Sequence, residues 1–144
     1  MIKYIYIINL FSTIFMTGLI WCIQVVHYPL FEKVGKAGFT EYHSLHSMKI
    51  SFIVLPVMCA EIFTAFLLLG ENEFLSTTMS FILFGMVLVI WGSTFFLQVP
   101  YHSLLSSGWN EEYISKLVNT NWVRTIFWSL RTGLLSYFLL KKLP

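Results

Sequence analysis

The stretch from Met79 to Val99, MSFILFGMVLVIWGSTFFLQV, contains no charged residue. A helix crossing the ~30 Å hydrocarbon core of a bilayer needs roughly 20 consecutive apolar residues, so this stretch reads as a membrane span. Outward from it, three more segments of comparable length and apolarity run from about Ile5 to Val26, Ile50 to Leu69 and Val123 to Leu140. The expected fold is therefore all-α: an integral membrane bundle of four helices in a single domain covering residues 1–144.

Composition agrees. Of the residues, 57% are hydrophobic and 11% charged, whereas a soluble domain carries about 25% charged residues. A net charge of +2 with scattered lysines argues against a nucleic-acid partner, and the lipid bilayer is the expected surrounding. Lys3 followed by an apolar run resembles a secretory leader, but the run is too long for one and leads to Gln24-Val25-Val26-His27 rather than to a small-residue cleavage site. It is read as the first span. Cys22 and Cys59 lie inside spans without CxxC spacing and are read as small packing residues.

Four spans place both termini on one side of the membrane, with two longer connections, Tyr28 to Lys49 and Pro100 to Trp122, on the other. Lys3, Lys141 and Lys142 on the terminal side face Lys33, Lys36, Lys49 and Lys116 on the loop side, a balance that leaves orientation undecided. The two halves repeat the same order of features. Gln24 to Leu30 (QVVHYPL) closes the first span and Gln98 to Leu104 (QVPYHSL) the third, and Glu41-Tyr42-His43-Ser44 precedes the second as Glu112-Tyr113-Ile114-Ser115 precedes the fourth. Two similar helical hairpins with pseudo-two-fold symmetry are expected. Each loop should carry a short interfacial helix: Gly35 and Gly38 break the first with Thr40 as N-cap and helix from about Glu41, and Gly108 breaks the second with Asn110 as N-cap.

All four histidines fall on the loop face. His43 and His46 are spaced i, i+3, which puts them on one helix face, while His27 and His102 end the first and third spans. Neutral imidazoles suit zinc, copper or iron, and two from facing helices suit a haem iron, so His27, His43, His46 and His102 are the candidate metal or haem ligands. The competing reading is four interfacial histidines solvated by water. Near them, Gln24, Gln98, Asn121 and Arg124 form a candidate polar pocket, in which Arg124 would hold a carboxylate or phosphate or else snorkel to the interface.

Glu61 is costly in mid-span unless paired or protonated. It lies about 18 Å along its helix from Lys49, and Arg131 about 14 Å along the fourth helix from Trp122, so an intramembrane Glu61–Arg131 ion pair is expected, as a bundle clamp or as part of a proton path. At about 22 Å from His46 along the axis, Glu61 is too distant to share a metal with the histidines. The chain has no aspartate, which rules out a Ser-His-Asp triad, and it has no P-loop, dinucleotide-binding glycine motif, HExxH or paired CxxC.

The strings QVVHYPLF (Gln24 to Phe31), YHSLH (Tyr42 to His46), PVMCAE (Pro56 to Glu61) and NWVRTIFW (Asn121 to Trp128) are similar to those of an uncharacterised family of bacterial four-helix integral membrane proteins. More distantly, size, span number and loop-face histidines resemble the anthrone oxygenase-like membrane proteins. The resemblance implies a multi-pass protein of the bacterial cytoplasmic membrane that oxidises an apolar small-molecule substrate, and it makes the four histidines the residues to test. The expected function is thus a small membrane oxidoreductase with a haem or transition-metal cofactor. The alternatives are a non-catalytic transport or assembly protein whose Glu61–Arg131 pair is structural, and proton-coupled transport through Glu61.

Overall fold

The structure is a computed structural model, and it describes residues 1–143. Among them there is no strand. Four long helical stretches account for most of the chain: Ile2–Lys33, Phe39–Leu67, Thr77–Leu105 and Glu111–Leu140. The first three are long and apolar enough to cross a membrane. The fourth is not among them: within its most apolar part, residues 123–140, Arg124 and Arg131 together with Thr125, Ser129, Thr132 and Ser136 dilute the apolar content. Three spans are therefore evident where the sequence led us to expect four.

The first and third stretches are not continuous α-helix. Each contains one π-helical turn, Ile23–His27 and Thr94–Gln98, two residues ahead of Pro29 and Pro100 respectively. Proline lacks an N–H and crowds the preceding turn, and a local i→i+5 turn is one way a helix absorbs such a mismatch; these turns are frequent at functional sites. Here they carry Gln24 and His27 in one helix and Gln98 in the other. The second stretch tolerates Pro56 within an uninterrupted helix.

The first helix packs against the second and fourth, and the third packs against the fourth and second. Two apolar clusters fill the interior. One, around Met16, Ile20, Met58, Ile90, Ile114, Leu117 and Trp128, underlies the loop face, and the other, around Tyr6, Leu68, Leu83 and Leu135, lies toward the termini. Between them sits a polar layer, described below.

The second helix begins at Phe39 with Gly38 as its cap, so Thr40 is a helical residue and not the N-cap. Gly35, at φ 76°, makes the turn that precedes it, a left-handed conformation that a β-carbon disfavours. In the second loop Asn110 caps as expected, its side chain accepting from the Tyr113 N–H at 3.0 Å, with Glu111 and Glu112 at the positive end of the helix dipole. The two loops meet where the Lys36 ammonium lies 5.0 Å from the Trp109 ring centroid. Cys22 and Cys59 are exposed on the outer surface rather than packed inside: each projects from the side of its helix away from the bundle.

Candidate functional site

Three helical stretches bring the four histidines together. The first supplies His27 from the end of its π-helical turn, the second supplies His43 and His46 from one face, and the third supplies His102 beyond its own π turn. They contact pairwise: His27 Nε2 lies 2.7 Å from His46 Nδ1, and His43 Nε2 lies 2.9 Å from His102 Nδ1. The His46 and His102 rings stack with centroids 5.9 Å apart, which joins the pairs. Phe31 packs edge-on against His27, His43 and His46 and keeps the cluster dry on that side.

The chain of contacts continues from His102. Its Nε2 lies 2.9 Å from the Tyr28 hydroxyl, which accepts from Arg124 Nη2 at 3.3 Å. Guanidinium can only donate, so the Tyr28 oxygen accepts here and its own hydrogen can be donated to His102 Nε2. In that arrangement His102 carries its hydrogen on Nδ1, donated to His43 Nε2, and His43 carries its hydrogen on Nδ1; the opposite tautomers reverse the direction of the chain. His43 Nδ1 is buried without a partner, as is His46 Nε2.

Arg124 is held from three sides. Its Nε and Nη2 donate to Asn121 Oδ1, and Nη2 also donates to Gln98 Oε1 at 3.2 Å. Asn121 in turn donates to Gln24 Oε1 at 2.8 Å, Gln24 donates to the Val118 carbonyl at 3.1 Å, and Gln98 donates to Thr120 Oγ1 at 2.9 Å. All four residues of the polar pocket inferred from the sequence thus belong to one network. Arg124 is 6% exposed, so it does not snorkel.

A cavity of about 360 Å³ opens onto this network. Met16, Ile20 and Ile23 form its floor, Ile50, Val54 and Met58 one wall, and Trp91, Phe95 and Val99 the other, while Tyr28, Gln98, His102 and Arg124 close its polar end. The volume and the mostly apolar lining are those of a small-molecule site. Leu55, Phe95 and Val99 at its margin are 50%, 54% and 51% exposed, and Ser51, Ser103 and Ser106 are exposed beside them, so the opening runs between the second and third helices from the apolar flank toward the loop face.

The imidazoles as they stand do not form a ligand set. Among the described residues no three or more His, Cys, Asp or Glu side chains are arranged to hold one metal ion. Nitrogens sharing a tetrahedral metal at bonds of about 2.0 Å lie roughly 3.3 Å apart, and an iron between two imidazoles separates them by about 4 Å; the pairs here are at 2.7 and 2.9 Å. At those distances each pair shares a hydrogen.

Deeper in the bundle, Arg131 Nε lies 3.2 Å from Glu61 Oε1, both side chains fully buried. Glu61 also accepts from Thr13 Oγ1 at 2.7 Å and from Trp128 Nε1 at 2.9 Å. Arg131 donates further to the Leu83 carbonyl and to Asn9 Oδ1, and Asn9 returns a bond to the Glu61 carbonyl. Charge and hydrogen-bonding capacity are met within the layer, and all four long helices contribute. Sequence reading missed Asn9, Thr13 and Trp128. Asn9 and Thr13, four apart on one side of the first span, were the available signal for the first two, and Trp128 lies three residues before Arg131 and so on the same helix face. Tyr28 was also missed, although it lies beside His27.

Fold and site together define an all-helical protein with three helices long and apolar enough to cross a membrane, a buried histidine cluster and a cavity opening between the second and third helices. Compared with protein-family models, curated proteins and solved structures, the chain matches none.

Proposed function

We propose that this chain is a small membrane enzyme that moves protons at an oxygen of an apolar molecule taken from the bilayer. In this reading Glu111–Leu140 is the fourth span, and the two hairpins are related by a pseudo-two-fold axis. The observation that carries the proposal is the Tyr28–His102–His43 hydrogen-bond chain ending at the inner wall of the cavity. A proton given to or taken from Tyr28 can pass through His102 to His43, which is general acid–base chemistry and serves an isomerisation, in which the proton leaves one position of the substrate and returns at another with no change of oxidation state. Protonating a carbonyl oxygen lets hydrogen on the neighbouring carbon exchange, so the purified protein, incubated with a bacterial lipid extract in deuterated water, should place deuterium on that carbon of a component of the extract, a position that keeps the label where oxygen would not. Tyr28→Phe and His102→Gln should lose this. Equal labelling by wild type and both variants would refute the proposal.

A second reading, a haem or transition-metal oxidoreductase, is favoured by the unpartnered His43 Nδ1 and His46 Nε2 but requires the imidazole pairs to open. An absorption spectrum and metal analysis after expression with haem, iron, copper and zinc supplied decide it. A Soret band or stoichiometric metal that disappears in His43→Ala supports this reading, and a colourless, metal-free protein removes it. Transport through Glu61 is disfavoured by the saturated partners of its carboxylate.

A further inference from the structure

Arg124 is a buried cation with no carboxylate beside it among the described residues. Among the described residues the ion pairs are Lys116–Glu112 and Arg131–Glu61, and every acceptor around Arg124 is neutral: Asn121, Gln98 and the Tyr28 hydroxyl. Buried charges in proteins are paired as a rule, because desolvation is otherwise uncompensated. Arg131, one layer deeper, obeys that rule, and Arg124 does not. Its hydrogen bonds leave from Nε and Nη2, with none from Nη1 among the described residues, and its side chain lines the cavity. Two further residues of the cavity wall, Ser47 and Trp91, each hold a buried polar atom without a partner.

We infer that the missing counter-charge comes from the ligand: the cavity binds a single-tailed lipophilic carboxylate, its head on Arg124 and its tail along the apolar walls toward the flank opening. The free Nη1 can donate to one carboxylate oxygen, and the guanidinium supplies the opposite charge. The 360 Å³ volume lies at the small end of ligand sites, roughly 300–1,000 Å³, which suits one chain and not the paired chains of a phospholipid. The inference rests on the cavity being the ligand site, as in the proposed function, and not on any catalytic step, so a protein without deuterium exchange can still bind the carboxylate.

The test uses the full chain in neutral detergent, with bound ligand counted by native mass spectrometry. Palmitate should bind at one equivalent, about tenfold or more tighter than methyl palmitate, a ratio equivalent to ~1.4 kcal/mol. Arg124→Gln should abolish the preference and Arg124→Lys should retain part of it. Val54→Trp, which fills the cavity and leaves Arg124 in place, should lose palmitate altogether. Phosphatidylglycerol should not compete. Equal binding of acid and ester, an unchanged preference in Arg124→Gln, wild-type binding by Val54→Trp, or full competition by phosphatidylglycerol would each overturn the assignment. Should Arg124→Gln fail to fold, the acid-against-ester comparison on wild type and the Val54→Trp variant still decide.

Discussion

Replacing Arg131 by methionine keeps an unbranched side chain but removes the positive charge from the middle of the bundle. Four contacts disappear with it: those to Glu61 Oε1, the Leu83 carbonyl, Asn9 Oδ1 and Thr13 Oγ1. Glu61, fully buried, then keeps only Thr13 Oγ1 and Trp128 Nε1 as side-chain donors to its carboxylate. Removing one partner of a buried ion pair costs about 3–5 kcal/mol, because a buried charge is left uncompensated. At roughly 2–4 °C per kcal/mol for chains of about this size, the midpoint of thermal unfolding should fall by about 6–20 °C. The pair can be separated from its surroundings by a double-mutant cycle. Glu61→Gln combined with Arg131→Met should cost less than the sum of the single changes, by about 1–3 kcal/mol, because the second change removes the stranded charge. Thermal unfolding in detergent, followed by helical circular dichroism, measures all three variants. An Arg131→Met protein as heat-stable as wild type, or additive costs, would refute the reasoning.

Trp128→Phe leaves one oxygen of Glu61 without its indole donor and should cost about 1–3 kcal/mol, read in the same unfolding experiment. Tyr28→Phe leaves His102 Nε2 unpartnered and takes an acceptor from Arg124; a loss of similar size is expected, and nitrogen NMR of labelled histidine should show a changed tautomer at His102. Asn110→Ala removes the side-chain cap of the fourth helix and should cost about 1 kcal/mol, with no change in palmitate binding.

The spans were legible because bilayer thickness imposes a length of apolar sequence that few other structures need. The fourth helix fails the same criterion for a reason visible in its residues: it supplies Arg124 and Arg131, the cations on which both polar layers depend, and Asn121 besides. The depth match that suggested a Glu61–Arg131 contact needed only the helical rise per residue. What could not be read was how each polar group is satisfied. Trp128 reaches Glu61 across the bundle, and the π-helical turns at Ile23–His27 and Thr94–Gln98 depart from the 3.6-residue repeat on which any helical stripe is drawn. The loop-face histidines were found by position alone. Their pairwise contact through ring nitrogens, and the part played by Tyr28 in joining them to Arg124, depend on rotamers that spacing does not specify.

On the proposed reading, an opening on the bundle flank lets the carboxylate enter the cavity from the lipid. Occupancy then follows the mole fraction of ligand among the lipids, and a dissolved concentration matters only through partitioning. Each added methylene favours the membrane by about 0.8 kcal/mol, so a carboxylate longer by four methylenes would appear ~200-fold tighter in an assay referenced to water. Expressed per lipid molecule, the two would bind Arg124 almost alike.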